Sequence, residues 1–170
     1  MSPRAAWRLE SLGFGEVSDY VAGEADWFAS GLPREGRDTV IPRAGDVARR
    51  DVPTCGLSDR VGEGREQVQT NGWDACLVVN QERVVLGRLR GKALVADAET
   101  PVEQVMEAGP TTVRPDAKLA EVVERMRAKN VASVVVTTSD GRLVGLLTRA
   151  DADFQGNDAE AGEGRTRQTG

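Results

Sequence analysis

Residues 145–151, GLLTRAD, place a hydroxyl and a carboxylate three residues apart where an apolar run ends. If a helix begins at Thr148, the side chains of Thr148 and Asp151 point the same way from the helix N-terminus, whose free amide groups attract anions. Such an arrangement can bind a phosphate and a sugar diol together. The same spacing is also typical of helix capping, with Thr148 as N-cap and Asp151 in the first turn. Both interpretations remain open at this stage.

Most other site chemistry is excluded by residue type. The 170-residue chain has no histidine, which removes His-based triads, imidazole acid–base catalysis and the usual zinc ligand sets. Cys55 and Cys76 stand 21 residues apart without a paired motif, so core packing is the default expectation for both. No pair of acidic residues suggests acid–base catalysis. Carboxylate, lysine or thiolate chemistry remains possible on residue types alone.

Composition limits the partners. The chain has 27 acidic against 22 basic side chains, whereas a nucleic-acid surface needs a concentrated positive field. No stretch approaches the roughly 20 apolar residues of a membrane span, and the first residues lack the apolar centre of a signal peptide. Hydrophobic residues make up 39% of the chain, enough for one ordinary core or two small ones. We expect a cytoplasmic protein without nucleic-acid or membrane partners.

An internal repeat with an offset of 58 residues organises the chain. At this offset residues 75–79, ACLVV, fall on residues 133–137, SVVVT. Residues 84–87, VVLG, fall on residues 142–145, RLVG, without any gap. The sequence therefore predicts two copies of one structural unit.

The second copy has the clearer pattern. Four apolar residues recur at helical spacing and predict an amphipathic helix over residues 116–130: Leu119, Val122, Val123 and Met126. Two apolar runs around the turn residues 139–141 predict a hairpin of buried strands. The predicted strands cover residues 111–113, 133–137 and 143–147, and a final helix begins near Arg149.

The first copy repeats this order more weakly. Its predicted elements are a helix near residues 45–50, a strand near Thr54, a helix over residues 58–71 and strands over residues 75–79 and 84–90. Gly62 and Gly64 lie inside the predicted helix and cost about 1 kcal/mol each relative to alanine, so we expect this copy to be less rigid. The predicted fold class is α/β (α+β), with two repeats of helix-strand-helix-strand-strand-helix packed as a pseudo-symmetric pair.

This element order, together with the motif at residues 145–151, resembles the CBS-domain pair, or Bateman module, over roughly residues 44–154. The resemblance implies repeats at residues 44–98 and 101–154 and a regulatory module that senses an adenine nucleotide (AMP, ADP or ATP) or an adenosyl compound. Such a module is not an enzyme and requires neither a metal nor a cofactor. It implies that Asp151 binds ribose and that Thr148 and Arg149 face phosphate. The residues implied to line the base pocket are Thr112, Val113, Val131 and Ala132.

The first copy departs from the family motif, because Arg90 stands where the second copy has Thr148, and Ala93 where it has Asp151. The resemblance therefore implies one competent site per chain. It also implies a homodimer, and an unidentified effector protein that reads the bound state. The alternative is a structural or protein-interaction module whose site is vestigial.

The flanks differ from the repeats. Residues 1–40 resemble the last third of a rhodanese-like sulfurtransferase domain through Ala5-Ala6, Leu9, Leu12-Gly13-Phe14, Val17, Asp19-Tyr20, Gly23, Trp27 and Gly31-Leu32-Pro33. This segment contains no cysteine, so no sulfurtransferase activity is expected. It is predicted to form helices over residues 3–12 and 22–30 and a strand over residues 16–19, and to dock through its aromatic side chains. The tail, residues 155–170, is predicted to be disordered.

Overall fold

The computed structural model describes residues 3–18, 23–35 and 41–152. The N-terminal flank contains helices α1 (Pro3–Ser11) and α2 (Gly23–Ala29). The first repeat contains α3 (Ala44–Val47), β1 (Thr54–Cys55), α4 (Val61–Asn71), β2 (Ala75–Val79), β3 (Val85–Arg90) and a 3-10 helix (Gly91–Val95). The second contains α5 (Val102–Val105), β4 (Glu107–Ala108), β5 (Thr112–Val113), α6 (Leu119–Ala128), β6 (Ser133–Thr137) and β7 (Leu143–Thr148). Residues 149–152 are helical.

The two copies follow the predicted offset of 58 residues. Adding 58 to the bounds of α3, β1, β2 and β3 gives the bounds of α5, β5, β6 and β7. In each copy the first strand runs parallel to the second, and the second runs antiparallel to the third. The predicted mixed fold of two related repeats is therefore confirmed.

Helix α6 forms where the apolar spacing predicts it. Leu119, Val122, Val123 and Met126 are all buried in one core cluster, beneath strands β6 and β7. The remaining positions of the helix are charged residues and two alanines, and Glu121 lies in the first turn, where it is favourable to the helix dipole. The helix is thus held by burial of one face.

Helix α4 begins three residues later than predicted. The side chain of Asp59 accepts a hydrogen bond from the backbone N–H of Gly56 at 2.7 Å, which makes a turn of residues 56–59. Inside the helix, a Cβ at Gly64 would lie 3.0 Å from Leu89 Cδ2, and one at Gly62 would lie 3.2 Å from Ala98 Cβ. Both glycines therefore permit close packing, which the sequence pattern alone did not indicate.

The short helices α3 and α5 cross between the repeats. Ala44 and Ala48 are buried in the core built by α6, β6 and β7, whereas Val102 is buried in the core built by α4, β2 and β3. After α3, Arg49 pairs antiparallel with Leu146 of β7, and each backbone N–H donates to the other residue's carbonyl at 2.9 Å. After α5, strand β4 pairs with β3 in the equivalent way. Each repeat thus completes the core and the sheet of the other.

The two sheets also contact each other directly. A third core cluster contains Leu77 of β2 and Val135 of β6, which are equivalent residues of the two repeats, together with Val52, Leu143 and Leu146. The hairpin turns are joined by backbone hydrogen bonds, with Leu143 N–H donating to Arg83 O at 2.9 Å and Val85 N–H to Gly141 O at 3.0 Å. The pair therefore packs around a local pseudo-twofold axis.

The N-terminal flank docks on this body through α2. Phe28 is buried, and the guanidinium groups of Arg34 and Arg43 lie 4.6 and 5.6 Å from its ring centroid. Arg50 donates to Ala29 O at 3.0 Å. In contrast, Trp7 and Phe14 are 67% and 60% exposed, so the predicted aromatic docking holds for Phe28 and not for these two.

The remaining sequence predictions on the flanks have different outcomes. Residues 16–18 form no strand, because they have no neighbouring strand to satisfy their backbone groups, so that prediction is wrong over the described residues. Residues 155–170 and Tyr20 lie outside the described residues.

Among the helices that are described, none has the length and apolar character needed to cross a membrane.

Gly145 contacts the segment that follows α3 and contains Arg49, here called a crossing segment because it passes from one repeat to the other. Replacement of Gly145 tests this contact. A Cβ there would lie 2.6 Å from the carbonyl oxygen of Arg49, so Gly145→Ala must push the segment off β7. We expect a loss of about 1–3 kcal/mol in the free energy of unfolding, measured by urea denaturation.

Gly15→Ala is the matched control, because a Cβ at Gly15 meets no atom within 4 Å. An equal effect of the two substitutions would contradict the crossing at Gly145.

Candidate ligand site

Thr148 and Asp151 are directly bonded where β7 passes into the helical residues 149–152. The Thr148 hydroxyl accepts a hydrogen bond from the Asp151 backbone N–H at 3.2 Å and donates to Asp151 Oδ2 at 2.6 Å. The first bond is the N-cap predicted for Thr148. Both side chains are only half-buried, so they remain accessible to a ligand at this helix start.

Arg149 and Ala132 lie beside this pair. Strands β6 and β7 pair Ser133 with Thr148, and the next residue on each strand continues the contact, since Arg149 N–H donates to Ala132 O at 3.0 Å. The structure therefore brings together Thr148, Arg149, Asp151 and Ala132, four of the seven residues that the sequence assigned to the site.

The other three assigned residues are placed differently. Thr112 and Val113 form β5, which is separated from β7 by β6. The Val113 side chain is buried in the core, whereas Thr112 is exposed. Val131 is half-buried and packs against the same core. The neighbour of β7 on its open side is the crossing segment after α3. The assignment of Thr112, Val113 and Val131 to a base pocket therefore stays a prediction.

Arg49, on that segment, contributes to the site and was missed. It binds Asp51 through two hydrogen bonds of 3.2 and 2.7 Å, and its guanidinium lies 4.1 Å from the ring centroid of Trp73. The hydrogen bond to Asp51 raises the pKa of Arg49 despite partial desolvation, and the negative charges of Asp51 and Asp151 raise it further. The guanidinium therefore lies within the electrostatic reach of Asp151.

Trp73 also has a hydrogen-bond donor without a partner. Its indole Nε1 is buried and has no hydrogen-bond partner among the described residues. Buried donors are normally paired. Neither Arg49 nor Trp73 was indicated by the repeat pattern, because that pattern contains no information on which repeat α3 packs against.

The corresponding position in the first repeat is an open cavity of about 590 Å³. Its lining residues are Asp74, Arg90, Gly91, Lys92, Ala93, Val105 and Glu107. The offset of 58 residues converts these to Ala132, Thr148, Arg149, Ala150, Asp151, Val47 and Arg49. The pseudo-symmetry thus relates this cavity to the Thr148–Asp151 region, and it pairs Glu107 with Arg49.

The two clefts carry opposite charge patterns. In the first, Glu107 of the crossing segment binds Arg88 at 3.2 Å and Arg90 at 3.0 Å. Burial acts to raise the pKa of Glu107, but hydrogen bonds from Arg88 and Arg90 outweigh it and hold the pKa below its ordinary value. In the second, the crossing segment contributes the cation, Arg49, and the repeat contributes the carboxylate, Asp151.

Metal binding is not supported by the side chains. The described residues contain no group of three or more Cys, Asp or Glu side chains arranged to hold a metal ion. The polar groups of the second cleft are a hydroxyl, a carboxylate and guanidinium groups, which suit a polar organic anion.

Known proteins share sequence similarity with this chain. The CBS domain family model matches residues 102–152. Inosine-5'-monophosphate dehydrogenase of Methanocaldococcus jannaschii is 26% identical over 114 residues, which are 66% of this chain and 23% of that protein. An uncharacterised protein of Methanopyrus kandleri is 26% identical over 115 residues, 63% of this chain and 59% of that one. The chain thus spans less than two thirds of the length of either curated relative.

Solved structures with the same fold include CBSX2 in complex with AMP, a protein known from Arabidopsis thaliana. It has a TM-score of 0.63 and 18% identity, with 70% of this chain and 98% of that chain covered. The CBS-domain pair of protein MJ0100, in complex with 5-methylthioadenosine and S-adenosyl-L-methionine, has a TM-score of 0.60 and 17% identity, with 69% and 98% covered.

The match and the geometry agree on one architecture. The matched residues begin at α5 and end in the helical turn that follows Thr148, so they include the Thr148–Asp151 pair. Residues 102–152 match the CBS domain family model, and the two repeats together have the fold of a CBS-domain pair.

Proposed function

We propose that this chain is a regulatory module, not an enzyme, that binds an adenine nucleotide or related adenosyl ligand in the cleft of the second repeat. The observation that carries the proposal is the half-buried Thr148–Asp151 pair at a helix start, beside the segment on which Arg49 pairs with β7. Solved CBS-domain pairs of this fold in complex with AMP, or with methylthioadenosine and S-adenosylmethionine, support the ligand class.

Each polar group then has a role that its chemistry allows. The Asp151 carboxylate accepts hydrogen bonds from the ribose hydroxyls, and Thr148 and Arg149 face the phosphate or other polar end of the ligand. Arg49 adds a cation, which lies on the ring of Trp73 at 4.1 Å. Ala132 supplies an apolar wall beside Arg149.

Regulation follows from the crossing of the repeats. Arg49 belongs to the first repeat in sequence but pairs with β7 of the second, so a ligand that contacts both Arg49 and Asp151 acts on the two repeats at once. A ligand that binds one arrangement of the repeats more tightly shifts the population toward it. An effector protein outside this chain reads that shift.

A second function is favoured by one observation. The Thr148 hydroxyl already bonds both the backbone N–H and the carboxylate of Asp151, which satisfies the cap without any ligand. In this case the cleft is vestigial and the chain is a structural or protein-interaction module.

Asp151→Asn separates the two functions. If the carboxylate binds ribose, the substitution removes charge-assisted hydrogen bonds of about 1.5–3 kcal/mol, which weakens affinity roughly tenfold to a hundredfold. Isothermal titration with AMP, ATP, methylthioadenosine and S-adenosylmethionine measures this effect. If Asp151 only caps the helix, unfolding becomes easier by about 0.3–1 kcal/mol and affinity is unchanged.

Glu124→Gln is the control, because it removes one negative charge from the exposed surface of α6. Equal affinity of Asp151→Asn and wild type for a ligand that binds both would refute the assignment. No binding of any of the four ligands to the wild type would favour the structural function.

Ala93→Asp tests the pseudo-symmetry of the clefts. Ala93 lines the first cavity beside Arg90, at the position equivalent to Asp151. A carboxylate there supplies the ribose acceptor that this cleft lacks, so titration stoichiometry should rise from one ligand per chain toward two. Ala93→Asn controls for side-chain size. Unchanged stoichiometry would indicate that the first cleft lacks more than a carboxylate.

The oligomeric state is the remaining part of the proposal. A pair of repeats is a small body and cannot bury all of its apolar surface by itself. In a homodimer, each chain would bury more of that surface against its partner. Light scattering at micromolar concentration should give twice the mass of the 18.2 kDa chain. A monomer mass would contradict the dimer and leave the ligand site unaffected.

A further inference from the structure

The two cysteines of the first repeat lie side by side. Cys55 ends β1 and Cys76 lies in β2, and their Sγ atoms are 3.2 Å apart, with the Cys76 thiol donating to Cys55 Sγ. Both residues belong to the core cluster beneath α4, and both are free thiols. A disulfide bond is about 2.05 Å long, so the sulfur atoms need to approach by only about 1.2 Å.

One of the two buried cysteines lies in the wall of a cavity. Cys55 lines a cavity of about 550 Å³ at the carboxyl end of β1, together with Gly56, Asp59 and Glu103. Cys76 does not line this cavity and is fully buried. The pair therefore consists of a cysteine at the wall of a cavity and a neighbour that lies farther inside the core.

The hydrogen bond makes the two thiols chemically different. The bond from Cys76 lowers the pKa of Cys55, although burial and the charges of Asp59 and Glu63 oppose the change. The same bond and burial raise the pKa of Cys76. Cys55 is thus the more readily ionised thiol, and a thiolate is the reactive form of cysteine.

The local structure permits the sulfur atoms to close. Strand β1 has two residues and lies at the edge of its sheet, with β2 as its one neighbouring strand. A short edge strand can shift by about 1 Å without breaking a central ladder. At the equivalent positions the second repeat has Val113 and Val134, which are also buried in a core, so the fold accepts this pair as ordinary apolar side chains.

We propose that Cys55 and Cys76 form a peroxide-sensitive dithiol site, in which a small hydroperoxide enters the cavity and converts the pair to an intrachain disulfide. The Cys55 thiolate attacks the peroxide oxygen; the O–O bond breaks, one proton is taken up, and Cys55 sulfenic acid and water (or an alcohol) form. Cys76 sulfur then attacks Cys55 sulfur, and the sulfenic oxygen leaves as a second water with the Cys76 proton. Two thiols are oxidised and one peroxide is reduced.

The disulfide would tie β1 to β2 within the first repeat. Cys76 pairs with Leu89 on β3, between Arg88 and Arg90 of the first cleft, so the site lies directly behind that cleft. It uses no residue of the proposed ligand site, and it stands whether or not that site binds a nucleotide.

The test is oxidation of the reduced full chain with hydrogen peroxide, followed by denaturation, alkylation and intact-mass analysis. We expect a loss of about 2 Da with neither cysteine alkylated, reversed by dithiothreitol. The folded chain should form the bond about tenfold or more faster than the chain in urea, because the fold holds the sulfur atoms together. Two alkylated thiols after treatment, an intermolecular disulfide, or equal rates in urea would overturn the proposal.

Valine variants assign the roles, since the second repeat has valine at both positions. Cys76→Val should accumulate a sulfenic acid on Cys55 that dimedone traps, whereas Cys55→Val should leave Cys76 unmodified. Equal modification of the single cysteine in the two variants would overturn the assignment. The double variant gives the background from the three methionines, and circular dichroism checks that each variant is folded.

Discussion

The exchange of α3 and α5 between the repeats is the constraint on which the rest of the structure depends. A four-residue helix cannot bury an apolar face by itself, and each repeat without its partner's helix would have an open core. The exchange closes both cores, and the paired hydrogen bonds of Arg49 with Leu146 anchor one crossing segment at a sheet edge. Gly145 is required there because the carbonyl of Arg49 occupies the space of a side chain. Neither repeat is therefore a self-contained domain, although each is a continuous stretch of sequence.

The offset of 58 residues made most of the fold predictable. Strands β2, β6 and β7 lie where the β-branched runs predicted them, and α6 lies where Leu119, Val122 and Met126 share one face. The exchange was not predictable, since a helix of one turn has the same pattern whether it packs on its own repeat or on the other. Gly62 and Gly64 were interpreted as weak helix positions for a related reason: the approach of Ala98 and Leu89 is a tertiary contact with no local pattern.

The same reasoning explains what could be predicted of the candidate site. Thr148, Arg149 and Asp151 are close in sequence, and Ala132 follows from the hairpin register, so local patterns brought these four together. Thr112 and Val113 were assigned to the base pocket from the family resemblance, and that assignment stays a prediction, because no local pattern bears on it. Arg49 and Trp73 reach the region only through the exchange. Sequence reasoning thus succeeds for contacts within one repeat and fails for contacts between repeats.

The exchange also explains how one backbone can hold two clefts of different chemistry. Each cleft combines the strand end of one repeat with the crossing segment of the other. If the charge on the strand end is reversed, the charge on the crossing segment must be reversed as well for the two to remain opposite. Glu107 faces Arg88 and Arg90, and Arg49 lies near Asp151 with Asp51 beside it. In each cleft opposite charges meet, but only the second retains a hydroxyl and a carboxylate at the helix start. The repeated backbone supplies two equivalent places for a ligand, and the side chains at residues 90, 93, 148 and 151 make the two places unequal.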